Sequence, residues 1–501
     1  MYDTNYLIHR LSLGAESTPD KLFASRPGQP DVTYAQLFSG AQALAQRLIA
    51  QGLEPGDRVA VQVAKTLEAV QLYLGTVMAG GIFLPLNTAY TAAEVGYFLG
   101  DATPRILVCD PARLDELSPL ATDATVLTLD SAGQGSLTAD LPDADPAFAP
   151  VSRGGDDLAA ILYTSGTTGR SKGAMLSHKN LASNSASLVD LWRFTTDDVL
   201  IHALPIFHTH GLFVATNVAL LSGASTVFLP GFDADAILDA MPSATALMGV
   251  PTFYTRLLQH DRLTPDHAAN MRLFISGSAP LLVDTHEQWQ ARTGHRILER
   301  YGMTETNMST SNPYDAERRA GTVGFPLPGV ELRIMKDGAK VAQDDIGIIE
   351  VRGDNVFQGY WQMPEKTAEE LRPDGWFITG DLAQQDSDGY VTIVGRAKDL
   401  IITGGFNVYP KEVESLIDDL PGVLESAVIG VPHPDFGEAV VAIVVPDSPN
   451  LTVETIAQAC ASDLAKFKQP KQIFLVDALP RNTMGKVQKK ALREENVALF
   501  A

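Results

Sequence analysis

Apolar positions recur along this chain in two rhythms. Leu37, Ala41, Leu44 and Leu48 share one helical face and Gly52 follows them, which predicts an amphipathic helix with a glycine stop. Residues 58–63 then read as an apolar strand, Leu67–Met78 as a second helix, and residues 105–109 and 158–162 as buried strands. Buried strands separated by helices of this length predict parallel sheets covered on both faces, an α/β fold. Residues 130–156, rich in Asp, Pro, Ala and Gly, predict a connecting loop.

Residues 212–230 carry no charge over nearly the length of a bilayer span. Asn217, Ser222, Gly223 and Ser225 interrupt the run, so it predicts a buried helix, a turn at Gly223 and a strand rather than a membrane helix. Near residue 397 the texture changes. Short strands at 426–431 and 439–445 flank the polar turn 433–438, then come a helix at 453–465 and a strand at 472–476. This predicts a small α+β domain, 398–501, after a large N-terminal domain, 1–397, of doubly wound sheets flanked by helices.

Composition narrows the function. A chain of 501 residues exceeds a single core. A net charge of −22 argues against a nucleic-acid or anionic-membrane surface, and means that an anionic substrate must be held by local positive charge. The two cysteines, Cys109 and Cys460, have no CxxC spacing, so neither a disulfide scaffold nor a zinc site is expected and a reducing cytoplasm fits. The first residues carry no basic region followed by an apolar core, so no secretory signal is expected. Oligomeric state is open.

The most informative stretch is residues 163–173, Tyr-Thr-Ser-Gly-Thr-Thr-Gly-Arg-Ser-Lys-Gly. It combines hydroxyl donors, glycines and two cations directly after a buried strand, which is what polyphosphate binding requires. It is not a Walker A loop, because Gly166 and Gly169 stand three apart and Gly173 follows Lys172.

This loop resembles the phosphate-binding loop of the acyl-adenylate-forming superfamily, which includes acyl-CoA synthetases, peptide-synthetase adenylation domains and luciferases. Four further stretches resemble that family in its order: 300–305 (Arg-Tyr-Gly-Met-Thr-Glu), 374–381 (Asp-Gly-Trp-Phe-Ile-Thr-Gly-Asp), 395–399 (Gly-Arg-Ala-Lys-Asp) and 480–486 (Pro-Arg-Asn-Thr-Met-Gly-Lys). The resemblance implies ATP, Mg2+ and coenzyme A as small-molecule partners. It places Thr164, Ser165, Gly166, Thr167, Thr168, Gly169 and Lys172 on the phosphates. Gly277, Ser278, Ala279, Pro280, Arg300, Tyr301 and Gly302 belong with the nucleotide, and Asp381 and Arg396 with the ribose. Lys486, Thr304 and Glu305 become catalytic candidates, with Glu305 as the Mg2+ ligand. His208, in Leu-Pro-Ile-Phe-His-Thr-His-Gly, becomes a gate to the acyl site. Lys398 becomes the pivot of a mobile C-terminal lid, and Gly404, Gly405 and Phe406 the segment beside the pantetheine.

Residue chemistry alone leaves plainer readings open. Asp381 could cap a helix before Leu382, Tyr301 could be core, and Lys398 and Lys486 could be solvated charges. The acid itself is read from Arg256 and Ser276. An arginine facing the acyl pocket, with a serine beside it, suits a second carboxylate. Together with residues 302–308 this resembles malonyl-CoA synthetases most, with methylmalonate one methyl away. The expected activity is therefore AMP-forming ligation of malonate to CoA through an acyl-adenylate. The alternatives are a ligase for another short or medium acid, if Arg256 faces water, and an adenylation module that loads a separate carrier protein.

Overall fold

The computed structural model describes residues 4–145, 147–164, 171–404, 406–482 and 485–500. Two large sheets dominate the N-terminal part. The six-stranded sheet runs Thr125–Thr128, Ile106–Cys109, Arg58–Gln62, Ile82–Pro85, Leu158–Thr164, Lys172–Ser177. All neighbours are parallel except the last pair, which is antiparallel. The nine-stranded sheet runs Phe325–Pro326, Asn307–Ser311, Leu298–Met303, Leu273–Ser276, Ala246–Gly249, Val199–His202, Ser225–Phe228, Leu22–Arg26, Gln29–Thr33. From Leu298–Met303 to Leu22–Arg26 its neighbours are parallel. The parallel strands are buried and read as unbroken apolar runs, as two covered faces require.

The predicted helices form as Tyr34–Ala50 and Leu67–Met78. Thr33 and Gln36 close a capping box on the first, and Gly52 follows it at φ 85°. The uncharged run becomes a π-helical turn, His210–Thr216, then the helix Asn217–Ser222, a left-handed Gly223 at φ 70° and the strand Ser225–Phe228. Among the described residues no helix is long and apolar enough to cross a membrane.

One sheet was not anticipated. Ala339–Lys340, Val330–Lys336, Gly347–Gly353, Phe377–Gln385 and Val391–Arg396 form an antiparallel five-stranded sheet. Its signal is local: Asp337 and Gly338 sit at φ 51° and 80°, the two left-handed residues that a tight hairpin needs. Asp381 lies inside one of these strands, which removes the helix-cap reading. The last strand ends at Arg396, a single 3-10 turn, Ala397–Asp399, follows, and a separate sheet begins at Ile401–Thr403. That final sheet pairs Val423–His433 with Gly437–Pro446 in antiparallel register and adds Gln472–Leu475 in parallel, with the helix Val453–Asp463 against it.

The N-terminal helix Tyr6–Leu11 docks through a buried imidazole, as the Leu7 N–H donates to His178 Nδ1 at 3.3 Å. Burial holds His178 down to about 4. An unfolded histidine takes up its proton near 6.5, so the folded state binds fewer protons than the unfolded one in this window and loses stability as pH falls. Relative to His178→Asn, the protein is expected to lose up to about 3 kcal/mol between about pH 7 and pH 4. Denaturant titration at both pH values checks this, and parallel curves for the two proteins would contradict it.

Candidate active site

The N-terminal motifs gather at the C-terminal ends of parallel strands, the edge where open α/β sheets bind ligands, whereas 374–381 and 395–399 belong to the antiparallel sheet. Thr164, His202, Gly249, Ser276 and Met303 each close a strand. Gly277 and Arg300 continue neighbouring strands, registered as Ile275 with Leu298 and Ser276 with Glu299. A Cβ on Gly277 would stand 2.4 Å from Arg300 Cζ, so the guanidinium lies flat across that glycine. Gly302 is equally constrained, since a Cβ there would stand 1.9 Å from the Asn307 carbonyl oxygen.

Asp381 is buried and engaged on both oxygens. Arg396 Nε donates to Oδ1 at 2.6 Å, and the Tyr301 hydroxyl donates to Oδ2 at 2.5 Å. Burial raises the Asp381 pKa, and Arg396 opposes the rise. Glu305 is also buried and raised by burial, and the Tyr360 hydroxyl lies 3.0 Å from its Oε1. The same hydroxyl lies 2.6 Å from Glu370 Oε2, and Lys172 Nζ pairs with Glu370 at 3.3 Å while standing 4.2 Å above the Tyr360 ring. The phosphate-loop lysine and the metal-ligand candidate are thus joined through Tyr360 and Glu370, which the sequence reading missed. Tyr360 is 55 residues from Glu305, and no local spacing marks the pair.

Lys486 reaches into this group from the C-terminal part. Its loop closes on Asn482, which donates its N–H to the Lys486 carbonyl at 2.9 Å and accepts the Lys486 N–H on Oδ1 at 3.0 Å. The residue is exposed, and its ammonium lies within the electrostatic reach of Arg396, Asp381, Arg300 and Glu305. Desolvation, then the Arg396 charge, lower its pKa. Desolvation, then Lys486 and Arg300, hold His208 down to about 3, so its imidazole is neutral. His210 is buried, also depressed by burial and by Arg300, and its Nδ1 lies 3.4 Å from Ser278 Oγ. Ser278 itself sits at φ 72°.

Buried polar atoms in proteins nearly always find partners. Here the exceptions cluster. Ser276 Oγ, Thr209 Oγ1, His210 Nε2, Arg300 Nε and Nη2, and both side-chain polar atoms of Asn307 have no hydrogen-bond partner among the described residues. Arg300 is 4% exposed and enters no ion pair among them, and burial pushes its pKa down. A buried, uncompensated guanidinium is a site for an external anion.

Arg256 departs from expectation. It lies on the helix Pro251–Leu258 with its side chain exposed, its guanidinium 5.5 Å from the Phe232 ring. It shares a helix face with Thr252, four residues earlier, whose Oγ1 would stand 3.9 Å from a Cβ on Gly485, so that face is turned toward the Lys486 loop. No ion pair or hydrogen bond reaches Arg256 among the described residues.

Thr304 is half-buried beside Glu305, Ala279 is half-buried and Pro280 exposed. Lys398 is exposed in the turn after Arg396. Gly404 takes φ 56°, and Phe406 is 55% exposed with its ring stacked on Phe467 at 4.6 Å. Ser165, Gly166, Thr167, Thr168, Gly169 and Gly405 lie outside the described residues.

Comparison with known proteins follows the same division. The AMP-binding enzyme family matches residues 12–361, and the AMP-binding enzyme C-terminal domain matches residues 412–486. ATP-bound MatB from Rhodopseudomonas palustris superposes with a TM-score of 0.96 at 59% identity, over 99% of this chain and 100% of that one. The apo form of MatB covers the same shares at the same identity but reaches only 0.85. Equal identity with a lower score means a different arrangement of the same fold, so the present arrangement is the one shared with the ATP-bound form. The mitochondrial malonate–CoA ligase ACSF3 of Mus musculus is 36% identical, over 92% of this chain and 86% of its own length. An indoleacetate–CoA ligase of Aromatoleum aromaticum is 35% identical, over 94% of each.

Proposed function

The chain belongs to the AMP-binding enzyme family, and from that footing we propose that it is an ATP-dependent malonate–CoA ligase. It activates malonate as an acyl-adenylate with release of pyrophosphate, then passes the acyl group to CoA and releases AMP. An aromatic acid ligase at nearly the same identity as a malonate ligase shows that family membership does not choose the acid. The observation that carries the choice is Arg300, buried and without an acidic partner, lying across Gly277. A monocarboxylic acid would leave that guanidinium desolvated and unpaired. A dicarboxylate satisfies it.

A carboxylate is a poor acyl donor because its leaving group would be an oxide. Displacement at the α-phosphate of ATP replaces that leaving group with AMP, and the protein's task is alignment and charge neutralisation. Lys486 stabilises the charge developing between the attacking carboxylate and the α-phosphate. Lys172 and the phosphate loop hold the outer phosphates. Asp381 accepts from the ribose hydroxyls, held in place by Arg396 and Tyr301. Glu305, with the Thr304 hydroxyl beside it, would hold Mg2+. Among the described residues no group of three or more His, Cys, Asp or Glu side chains could hold a metal, which suits an ion carried largely by phosphate oxygens and water. That ion, when bound, neutralises phosphate charge. His208, neutral, stands where it can admit or exclude the incoming thiol. The unpaired, buried cysteines support a reducing, cytoplasmic setting.

Thioester formation with a panel of mono- and dicarboxylic acids, ATP and Mg2+ tests this reading. Malonate is expected to give malonyl-CoA, AMP and pyrophosphate. Stoichiometric ADP with an acyl-phosphate would refute it, as would a clear preference for butyrate. Arg256→Leu is expected to lower kcat/KM for malonate by about 10–100-fold, the value of a charged hydrogen bond. Butyrate should be nearly unaffected, so an unchanged malonate-to-butyrate ratio would remove Arg256 from the acid site.

A further inference from the structure

Lys65 carries an ammonium group into the protein without a carboxylate to meet it. No ion pair reaches it among the described residues. Its contacts are His202, with ring Nδ1 at 3.0 Å and carbonyl oxygen at 2.7 Å, and the face of Phe228 at 4.4 Å. Such a group is costly to keep desolvated. Its place in the fold shows what it connects. Lys65 follows the strand Arg58–Gln62 of the six-stranded sheet, whereas His202 ends the strand Val199–His202 of the nine-stranded sheet. The contact joins the two sheets at their C-terminal ends.

His202 passes the constraint on. The Gly211 carbonyl can only accept, so the imidazole proton sits on Nε2 and Nδ1 accepts from the Lys65 amino group. Nε2 lies 3.0 Å from the Gly211 carbonyl oxygen and 3.1 Å from Thr216 Oγ1, and the Thr216 hydroxyl donates to that same carbonyl at 3.0 Å. Segment 203–211 is therefore held at both ends by one imidazole in one tautomer. The segment also closes tightly on itself, since a Cβ on Gly211 would stand 1.9 Å from the Pro205 carbonyl oxygen. Between the two anchored ends lie His208 and His210.

We propose that Lys65 is a positioning residue of the acid-activating site: by donating to Nδ1 of His202 it anchors that imidazole and so fixes the segment that presents His208 and His210 to Arg300. This rests on the reading of that pocket as the acid site. Lys65 also borders a cavity of about 480 Å³ with Phe207 and Pro230. A direct contact from Lys65 to an anion in that cavity is the competing role, and charge separates the two. Positioning needs a donor, whereas anion binding needs a cation.

Lys65→Met is expected to lower kcat/KM for malonate by about 10–100-fold, the scale of an ångström-sized misplacement, with KM for ATP unchanged. Lys65→Gln keeps a donor without the charge and is expected to recover most of the loss. The double variant Lys65→Met/His202→Ala is expected to be no worse than His202→Ala alone, because one path carries both effects. Nitrogen-15 NMR of the wild-type imidazoles should show a neutral, Nε2–H histidine that is lost on His202→Ala. An Nδ1–H tautomer, a glutamine variant as poor as the methionine one, or additive losses in the double variant would each overturn the proposal. The NMR measurement does not use activity, so a wrong acid assignment and a wrong role for Lys65 give different results.

Discussion

Lys486→Ala is expected to lower the rate of malonyl-adenylate formation by on the order of 10²–10³ while sparing thioester formation from supplied malonyl-adenylate and CoA. The lysine lies within the electrostatic reach of Arg300, Arg396, Asp381 and Glu305, in a structure similar to that of an ATP-bound relative. In that position its charge serves the displacement at phosphorus. In the second step the thiol attacks carbon and AMP leaves as a phosphate anion with no displacement at phosphorus, so bridging of the carboxylate and the α-phosphate by the lysine is not required there. Pyrophosphate release and thioester formation, followed separately, measure the two steps. Equal damage to both would mean that Lys486 holds the local fold instead of stabilising one transition state.

Arg300→Leu is expected to produce a loss of similar size that depends on the acid. Removing one partner of a buried charge pair costs roughly 3–5 kcal/mol, which is about 10²–10³ at ~1.4 kcal/mol per tenfold. Malonate should lose that factor in kcat/KM. Butyrate should lose far less, because the leucine spares it the desolvated guanidinium. Arg300→Lys, which keeps charge but loses the planar fork, should fall between. ATP affinity, measured by calorimetry, should hold in both variants. A collapse of ATP affinity with an unmoved malonate-to-butyrate ratio would return Arg300 to the nucleotide.

That second outcome is what the sequence alone suggests, and the geometry offers the other reading. Arg300 and Tyr301 are neighbours in one motif, so a linear reading sends both to the nucleotide. They lie in the strand Leu298–Met303, where successive side chains face opposite ways. Tyr301 reaches Asp381 while Arg300 turns across Gly277. Alternation of helices and strands made the large sheets legible, because buried parallel strands write themselves as apolar runs. The antiparallel sheet around Asp381 escaped that pattern. Its strands are half-exposed and mixed in character, and only turn residues such as Asp337 and Gly338 announce it. The Glu305, Tyr360, Glu370 and Lys172 chain was invisible for another reason: its members come together only through tertiary packing.

The pairing of Asp381 with Arg396 has a mechanical consequence. The two residues face each other across adjacent strands, and the turn Ala397–Asp399 begins at the very next residue. With Asp381 as the proposed handle on the sugar and Lys398 as the proposed joint of the smaller part, the two are ends of one short lever. Torque at the joint reaches the sugar without crossing the hydrophobic interior. By reciprocity, a nucleotide that prefers one angle of the joint holds the joint at that angle with the same free energy. On that assignment the lever is a timing device: the nucleotide just made or used sets which way the smaller part faces.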